Sequence, residues 1–154
     1  MLNGPFPPWP SYTPEEADAV QRVLLSNKVN YWTGDECRAF EREFAAFAQT
    51  EYAVSLANGT VALDLALRAL GIGAGDDVVV TSRTFLASAS AIVNVGARPV
   101  FADVDRDSQN ISAETVAAAL TPATKAVVCV HLAGWPCDMD AMAALAEQYG
   151  LYLI

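Results

Sequence analysis

Basic side chains are scarce in this 154-residue chain, with nine Lys and Arg against 18 Asp and Glu and a formal charge of −9. That balance excludes a nucleic-acid groove, which needs clustered cations. It leaves a phosphate ligand open, because N–H groups at a helix start can hold phosphate without any cation. Histidine occurs once, at His131, and cysteine three times, at Cys37, Cys129 and Cys137, with no CxxC pair. A structural zinc site, with its four close Cys or His ligands, is therefore not expected. The odd, unpaired cysteine count predicts buried free thiols in a reducing compartment. No apolar run approaches the ~20 residues that span a bilayer, and no charged-then-apolar leader opens the sequence. A soluble cytoplasmic protein is the expectation.

What is present is apolar surface, 53% of residues against 18% charged, enough for a folded domain. Residues 1–11 hold Pro5, Pro7, Pro8 and Pro10 around Phe6 and Trp9, which predicts an extended arm that needs a surface to lie on. Thr13, Pro14 and Glu16 then form a helix-start signature, with Ala17, Val20 and Leu24 at helical spacing. A loop over residues 27–35 leads to a second helix, where Cys37, Phe40, Phe44 and Phe47 form one apolar stripe read as core. Residues 1–35 are thus an arm, helix and loop, and residues 36–154 a separate domain.

From Tyr52 the pattern changes. Short apolar runs at 52–56, 78–81, 99–102, 126–130 and 151–154 alternate with helical segments at 60–70, 84–95, 113–120 and 139–149. The runs are continuous rather than alternating in polarity. Such strands are covered on both faces, as in a parallel sheet with right-handed crossover helices. An α/β fold with five parallel strands follows.

Candidate functional residues fall at strand ends. Asn58, Gly59 and Thr60 join the first run to an apolar helix. Gly59 permits close backbone approach, and the helix start with the Thr60 hydroxyl can hold a phosphate monoester, although an ordinary capped turn reads the same way. Phe85, after the second run, can cover a flat ring or serve as core. His131 follows the fourth run as a structural residue or a base. Asp103 and Asp105 read as a solvated turn rather than a cation site, and Asp138 as an N-cap. The glycines at 71, 73 and 75 follow a helix and precede a strand, the reverse of a dinucleotide loop, so they read as a C-cap and turn.

Several stretches carry a resemblance: Phe40-Glu41-Arg42-Glu43-Phe44-Ala45, Ala57-Asn58-Gly59-Thr60, Gly73-Ala74-Gly75-Asp76-Asp77-Val78, and Thr81 with Thr84-Phe85. Gly96-Ala97-Arg98-Pro99-Val100-Phe101-Ala102-Asp103, Thr121-Pro122 with Thr124-Lys125, and His131-Leu132-Ala133-Gly134 continue the series. In this order they resemble the DegT/StrS group of pyridoxal-phosphate (PLP) sugar aminotransferases, from about residue 15 to Ile154. The resemblance implies the α/β/α large domain of fold-type-I PLP enzymes, truncated after the fifth strand. It makes Gly59 and Thr60 phosphate contacts and Phe85 the aromatic that stacks on the cofactor ring. It implies a nucleotide-linked keto sugar as substrate, glutamate as amino donor, and a homodimer with sites shared between subunits. Products would serve polysaccharide, glycan or antibiotic-sugar synthesis.

In that family an acidic residue pairs with the pyridine nitrogen just past the strand near Ile154, and a lysine farther on binds the cofactor covalently. Neither falls within the chain, and Lys28 and Lys125 match neither position. The chain alone is therefore expected to be inactive and marginally folded, with two later strands missing between the first run and the last. Other readings on the same residues are a sugar dehydratase relative, a non-catalytic phosphate-binding or partner-pairing module, and a self-contained flavodoxin-like domain.

Overall fold

The structure, a computed structural model, describes residues 8–154, which form two compact units, 8–55 and 56–154. Pro5, Phe6 and Pro7 of the predicted arm lie outside the described residues, while Trp9 is fully exposed.

In the first unit, α1 (Pro14–Leu25) begins with a capping box. The Glu16 N–H donates to Thr13 Oγ1 and the Thr13 N–H to Glu16 Oε2, satisfying two otherwise free donors. The loop after it folds on Asn30, whose Oδ1 accepts from the N–H groups of Trp32 and Thr33. Gly34 is required there, because a Cβ would collide with the Lys28 carbonyl oxygen. Helix α2 (Glu36–Ala48) follows and ends at Gln49 in the left-handed region.

The predicted core stripe of α2 is not core. Phe40, Phe44 and Phe47 are 55%, 48% and 82% exposed and Cys37 is exposed, so the expectation of three buried thiols also fails at that position. The rings pack on one another, with centroids 5.5 and 6.2 Å apart, and no second layer covers them among the described residues. Helical periodicity marks a face that wants cover; it does not supply the cover.

The predicted strand at 52–56 also departs from expectation. It forms no ladder, and Tyr52 and Val54 are more than two-thirds exposed. A strand exists only when a neighbour takes its N–H and C=O groups, and none of the described strands does so.

The second unit is the α/β body. Helix α3 (Gly59–Ala69) leads through the glycine turn to β1 (Asp77–Thr81). Then come α4 (Ala87–Asn94), β2 (Arg98–Ala102), α5 (Ala113–Ala119), β3 (Thr124–Val128), a 3₁₀ turn (Leu132–Gly134), α6 (Met139–Tyr149) and β4 (Tyr152–Leu153). The four strands are all parallel, in the order β2-β1-β3-β4. Gly71 and Gly75 lie at φ +71° and +94°, the C-cap and turn that the sequence predicts.

Strand β1 is buried throughout, and its alternation divides the core. Val78 and Val80 meet Leu67 of α3 and Ile92 of α4 on one face. Val79 meets Val116 of α5 and Met142 of α6 on the other. The result is an α/β/α sandwich with α3 and α4 on one side and α5 and α6 on the other. Strand β4 pairs only with β3 and leaves its outer edge open.

Candidate cofactor site

All four strands run the same way, so Thr81, Ala102, Val128 and Leu153 end at one edge of the sheet. Helices α3 and α4 return the chain to the opposite edge, which places their starts at this carboxyl edge. Beyond β1 the chain turns to α4 on one face, and beyond β3 it passes to α6 on the other. The chain order therefore switches direction between the ends of β1 and β3, the position at which open parallel sheets bind ligands.

The start of α3 lies at this edge. The Asn58 side chain accepts from the Val61 N–H and the Asn58 carbonyl from the Ala62 N–H. Among the described residues the N–H groups of Gly59 and Thr60 have no protein acceptor, both residues are exposed, and a Cβ on Gly59 would meet nothing within 4 Å. Two free N–H groups, a hydroxyl and the positive end of a helix fit a phosphate monoester.

Phe85 sits between β1 and α4 and is 77% exposed, which removes the core reading. Its loop is held from several directions. The Arg83 N–H donates to Thr81 Oγ1 at 3.1 Å, Thr84 and Ser88 share a 2.8 Å hydroxyl contact, and the Arg83 guanidinium bonds the Gln109 side-chain oxygen. Gly59 and Thr60 at the start of α3, and Phe85 just before α4, thus share an edge and a face, on or beside two helices that pack together. They do not line one closed cavity with the β2–α5 loop. The hollow there, about 390 Å³, is bounded by Asp105, Asn110, Trp135 and Cys137 among others.

His131 lies three residues past β3, exposed, with its Nδ1 accepting from the Cys137 N–H at 3.2 Å. Asp105 caps its own turn, accepting from the N–H groups of Asp107 and Ser108, and these bonds lower its pKa. No group of three or more metal-ligating side chains occurs among the described residues. Asp138 caps α6 through the Ala141 N–H. Burial pushes the Cys129 thiol up to about 11, with neighbouring Cys137 adding to the effect, and burial also raises Cys137. Neither is an activated nucleophile.

Sequence reasoning missed Asn110, a buried side chain that joins two loops at this edge. Its Nδ2 donates to the Trp135 carbonyl at 2.8 Å and its Oδ1 accepts from the Leu132 N–H at 3.4 Å. It also missed Glu41, which accepts from the N–H and hydroxyl of Ser55 at 2.8 and 2.9 Å and from the Tyr31 hydroxyl at 3.2 Å. Glu41 stands inside a quoted motif, and that was the available signal.

The fold, a parallel four-stranded α/β body, matches part of the fold-type-I aminotransferase structures, and the comparisons are specific. A family model, the DegT/DnrJ/EryC1/StrS aminotransferase family, matches residues 10–154, and the chain belongs to that family. The family's aminotransferases are PLP-dependent. The chain is 42% identical to 3-amino-5-hydroxybenzoate synthase of Amycolatopsis mediterranei, over 97% of this chain and 38% of that protein. A crystal structure of an aminotransferase from Psychrobacter cryohalolentis is 64% identical with a TM-score of 0.93, over 97% of this chain and 38% of that one. A Streptococcus pneumoniae protein described as a sugar aminotransferase, in its PLP-form, is 35% identical with a TM-score of 0.86, again over 97% and 38%. The chain therefore spans a little over a third of the length of these relatives. Among the described residues no helix is long and apolar enough to cross a membrane.

Proposed function

We propose that this chain is the phosphate-and-ring-holding part of a PLP-dependent aminotransferase that passes an amino group, from glutamate, to a nucleotide-linked keto sugar. The observation that carries the reading is the pairing of exposed, unsatisfied N–H groups at Gly59 and Thr60 with an exposed Phe85 on the same sheet edge. In this reading Gly59 and Thr60 grip the phosphate while Phe85 lies against the pyridine ring and shields it from water. PLP, when bound, supplies an electron sink for charge developing on the substrate carbon.

The keto-sugar part is supported by the S. pneumoniae relative's description as a sugar aminotransferase. The A. mediterranei relative's name points to an aminated hydroxybenzoate, so the substrate class is the finer part of the proposal. A cytoplasmic homodimer is the setting it implies.

Amide NMR of the chain tests the reading with three probes: PLP, pyridoxal without the phosphate, and inorganic phosphate. PLP and phosphate are expected to shift Gly59, Thr60 and Val61, whereas PLP and pyridoxal shift Phe85. Shifts confined to other surfaces, or equal effects of pyridoxal and PLP at Gly59, would overturn it. Amino transfer is tested by adding a separately expressed polypeptide that supplies the remaining length of the relatives, then following glutamate-dependent consumption of a nucleotide-linked keto sugar.

A further inference from the structure

We infer that His131 is a hydrogen-bond donor of the cofactor site, presenting Nε2–H to an acceptor atom of the ring-bearing ligand, with its tautomer set by the backbone of Cys137. The inference deepens the PLP reading and rests on it.

A neutral imidazole carries one proton, and the nitrogen that accepts a hydrogen bond cannot hold it. The Cys137 N–H points at Nδ1 from 3.2 Å, so the proton sits on Nε2, across the ring. That nitrogen has no protein partner among the described residues, and the side chain is exposed. An unsatisfied, oriented donor on a fixed ring resembles the way histidines are prepared for a ligand through the hydrogen bond on their other nitrogen.

The segment carrying His131 is fixed at more than one point. Asn110 holds Leu132 and Trp135 from the neighbouring loop, the Gly134 N–H returns to the His131 carbonyl at 3.1 Å, and the Cys137 thiol donates to the Val130 carbonyl at 3.3 Å. Ala133 adopts φ 53°, a left-handed conformation that a non-glycine residue takes only when its surroundings enforce it. The position completes the case. Strands β1 and β3 are hydrogen-bonded neighbours whose following helices lie on opposite faces, so the switch point at their carboxyl ends lies between the loop of Phe85 after β1 and the loop of His131 after β3.

His131 is the only histidine, so its two ring nitrogens give unambiguous ¹⁵N signals. Long-range ¹H–¹⁵N NMR of the ligand-free chain is expected to show a protonated Nε2 and an acceptor-type Nδ1. Millimolar PLP should then shift Nε2 together with Gly59, Thr60 and Phe85. His131→Phe should weaken PLP binding about fivefold, the effect of one neutral hydrogen bond, and His131→Gln, which keeps a donor at similar reach, should restore most of it. A tautomer mixture or a protonated Nδ1 in the free chain would overturn the inference. If PLP moves Gly59, Thr60 and Phe85 but leaves Nε2 unmoved, the inference falls while the PLP reading stands. If PLP moves none of these signals, both fall.

Discussion

The Arg98 guanidinium closes on the Asp77 carboxylate through two hydrogen bonds, 2.7 and 2.5 Å long, across positions paired in the β1–β2 register. Thr121, just before β3, donates its hydroxyl to the same carboxylate at 2.5 Å. One acidic side chain thus ties the starts of two strands and the approach to a third. This is the amino edge of the sheet, opposite the candidate site, so the contact serves the fold and leaves the carboxyl edge free.

A pH dependence follows from that contact. The Arg98 guanidinium and the Thr121 hydroxyl hold Asp77 down to about 2, below the roughly 3.9 of a free aspartate. A depressed carboxylate stabilises the folded state above its unfolded pKa and loses that contribution as pH falls toward the folded value. Urea midpoints should therefore drop between about pH 4 and pH 2, and Asp77→Asn should be less stable at pH 7 with a flatter acid limb. An unchanged acid limb in the variant would show that other groups carry the dependence, and Glu41 and Asp105, both lowered by hydrogen bonds, are next in line.

The Glu41 carboxylate makes a second prediction, local rather than global. It is the tie between α2 and the extended segment at 52–55, through both polar groups of Ser55. Glu41→Ala should let the Ser55 amide exchange roughly tenfold faster while leaving amides of β1 and β3 unchanged, since local openings respond to local bonds. Equal protection at Ser55 in both proteins would mean that the segment is held by something else.

How much of this was legible beforehand depended on whether the deciding interaction was local. The Thr13–Glu16 box, the Asn58 and Asp138 caps and the glycine turn before β1 are short-range devices, and each appears as read. Continuous valine runs announced a doubly covered sheet, and β1 is covered on both faces. Phe40, Phe44 and Phe47 were misread because a stripe shows what a helix would bury, and burial needs a covering layer that spacing cannot reveal. Residues 52–56 were misread for the same reason, as strand formation is settled by a neighbour. Of the candidate site, Phe85 could be named from its place after a strand, and Gly59 and Thr60 from the helix start that Asn58 caps. The ties that hold the edge, Arg83 to Gln109 and Asn110 to Trp135, join residues 26 and 25 positions apart and left no local trace.

The three cysteines should react in two classes. Cys37 is exposed, whereas Cys129 and Cys137 are partly or wholly buried with raised pKa values. With Cys129 near 11, only about one molecule in a thousand carries its thiolate at pH 8. A disulfide reagent should therefore titrate one thiol quickly and the other two only as the chain unfolds in urea. Rapid reaction of all three would show that the Val79–Met142 side of the core opens readily.

Lys125 gives the last prediction. It is the second residue of β3 and so lies near the amino edge of the sheet, whereas Phe85 and His131 lie beyond the carboxyl ends. The three residues of strand that follow it put the carboxyl end of β3 about 10 Å away, more than a lysine side chain can reach. With PLP held through its phosphate and ring at the carboxyl edge, the Lys125 amine is not placed to bond the cofactor. Titration with PLP followed by borohydride reduction and mass analysis should therefore leave no stoichiometric adduct on Lys125, even where NMR detects reversible binding at Gly59 and Phe85. A single, saturating adduct on Lys125 would put the cofactor at the wrong edge of the sheet, and with it the roles proposed for Thr60, Phe85 and His131.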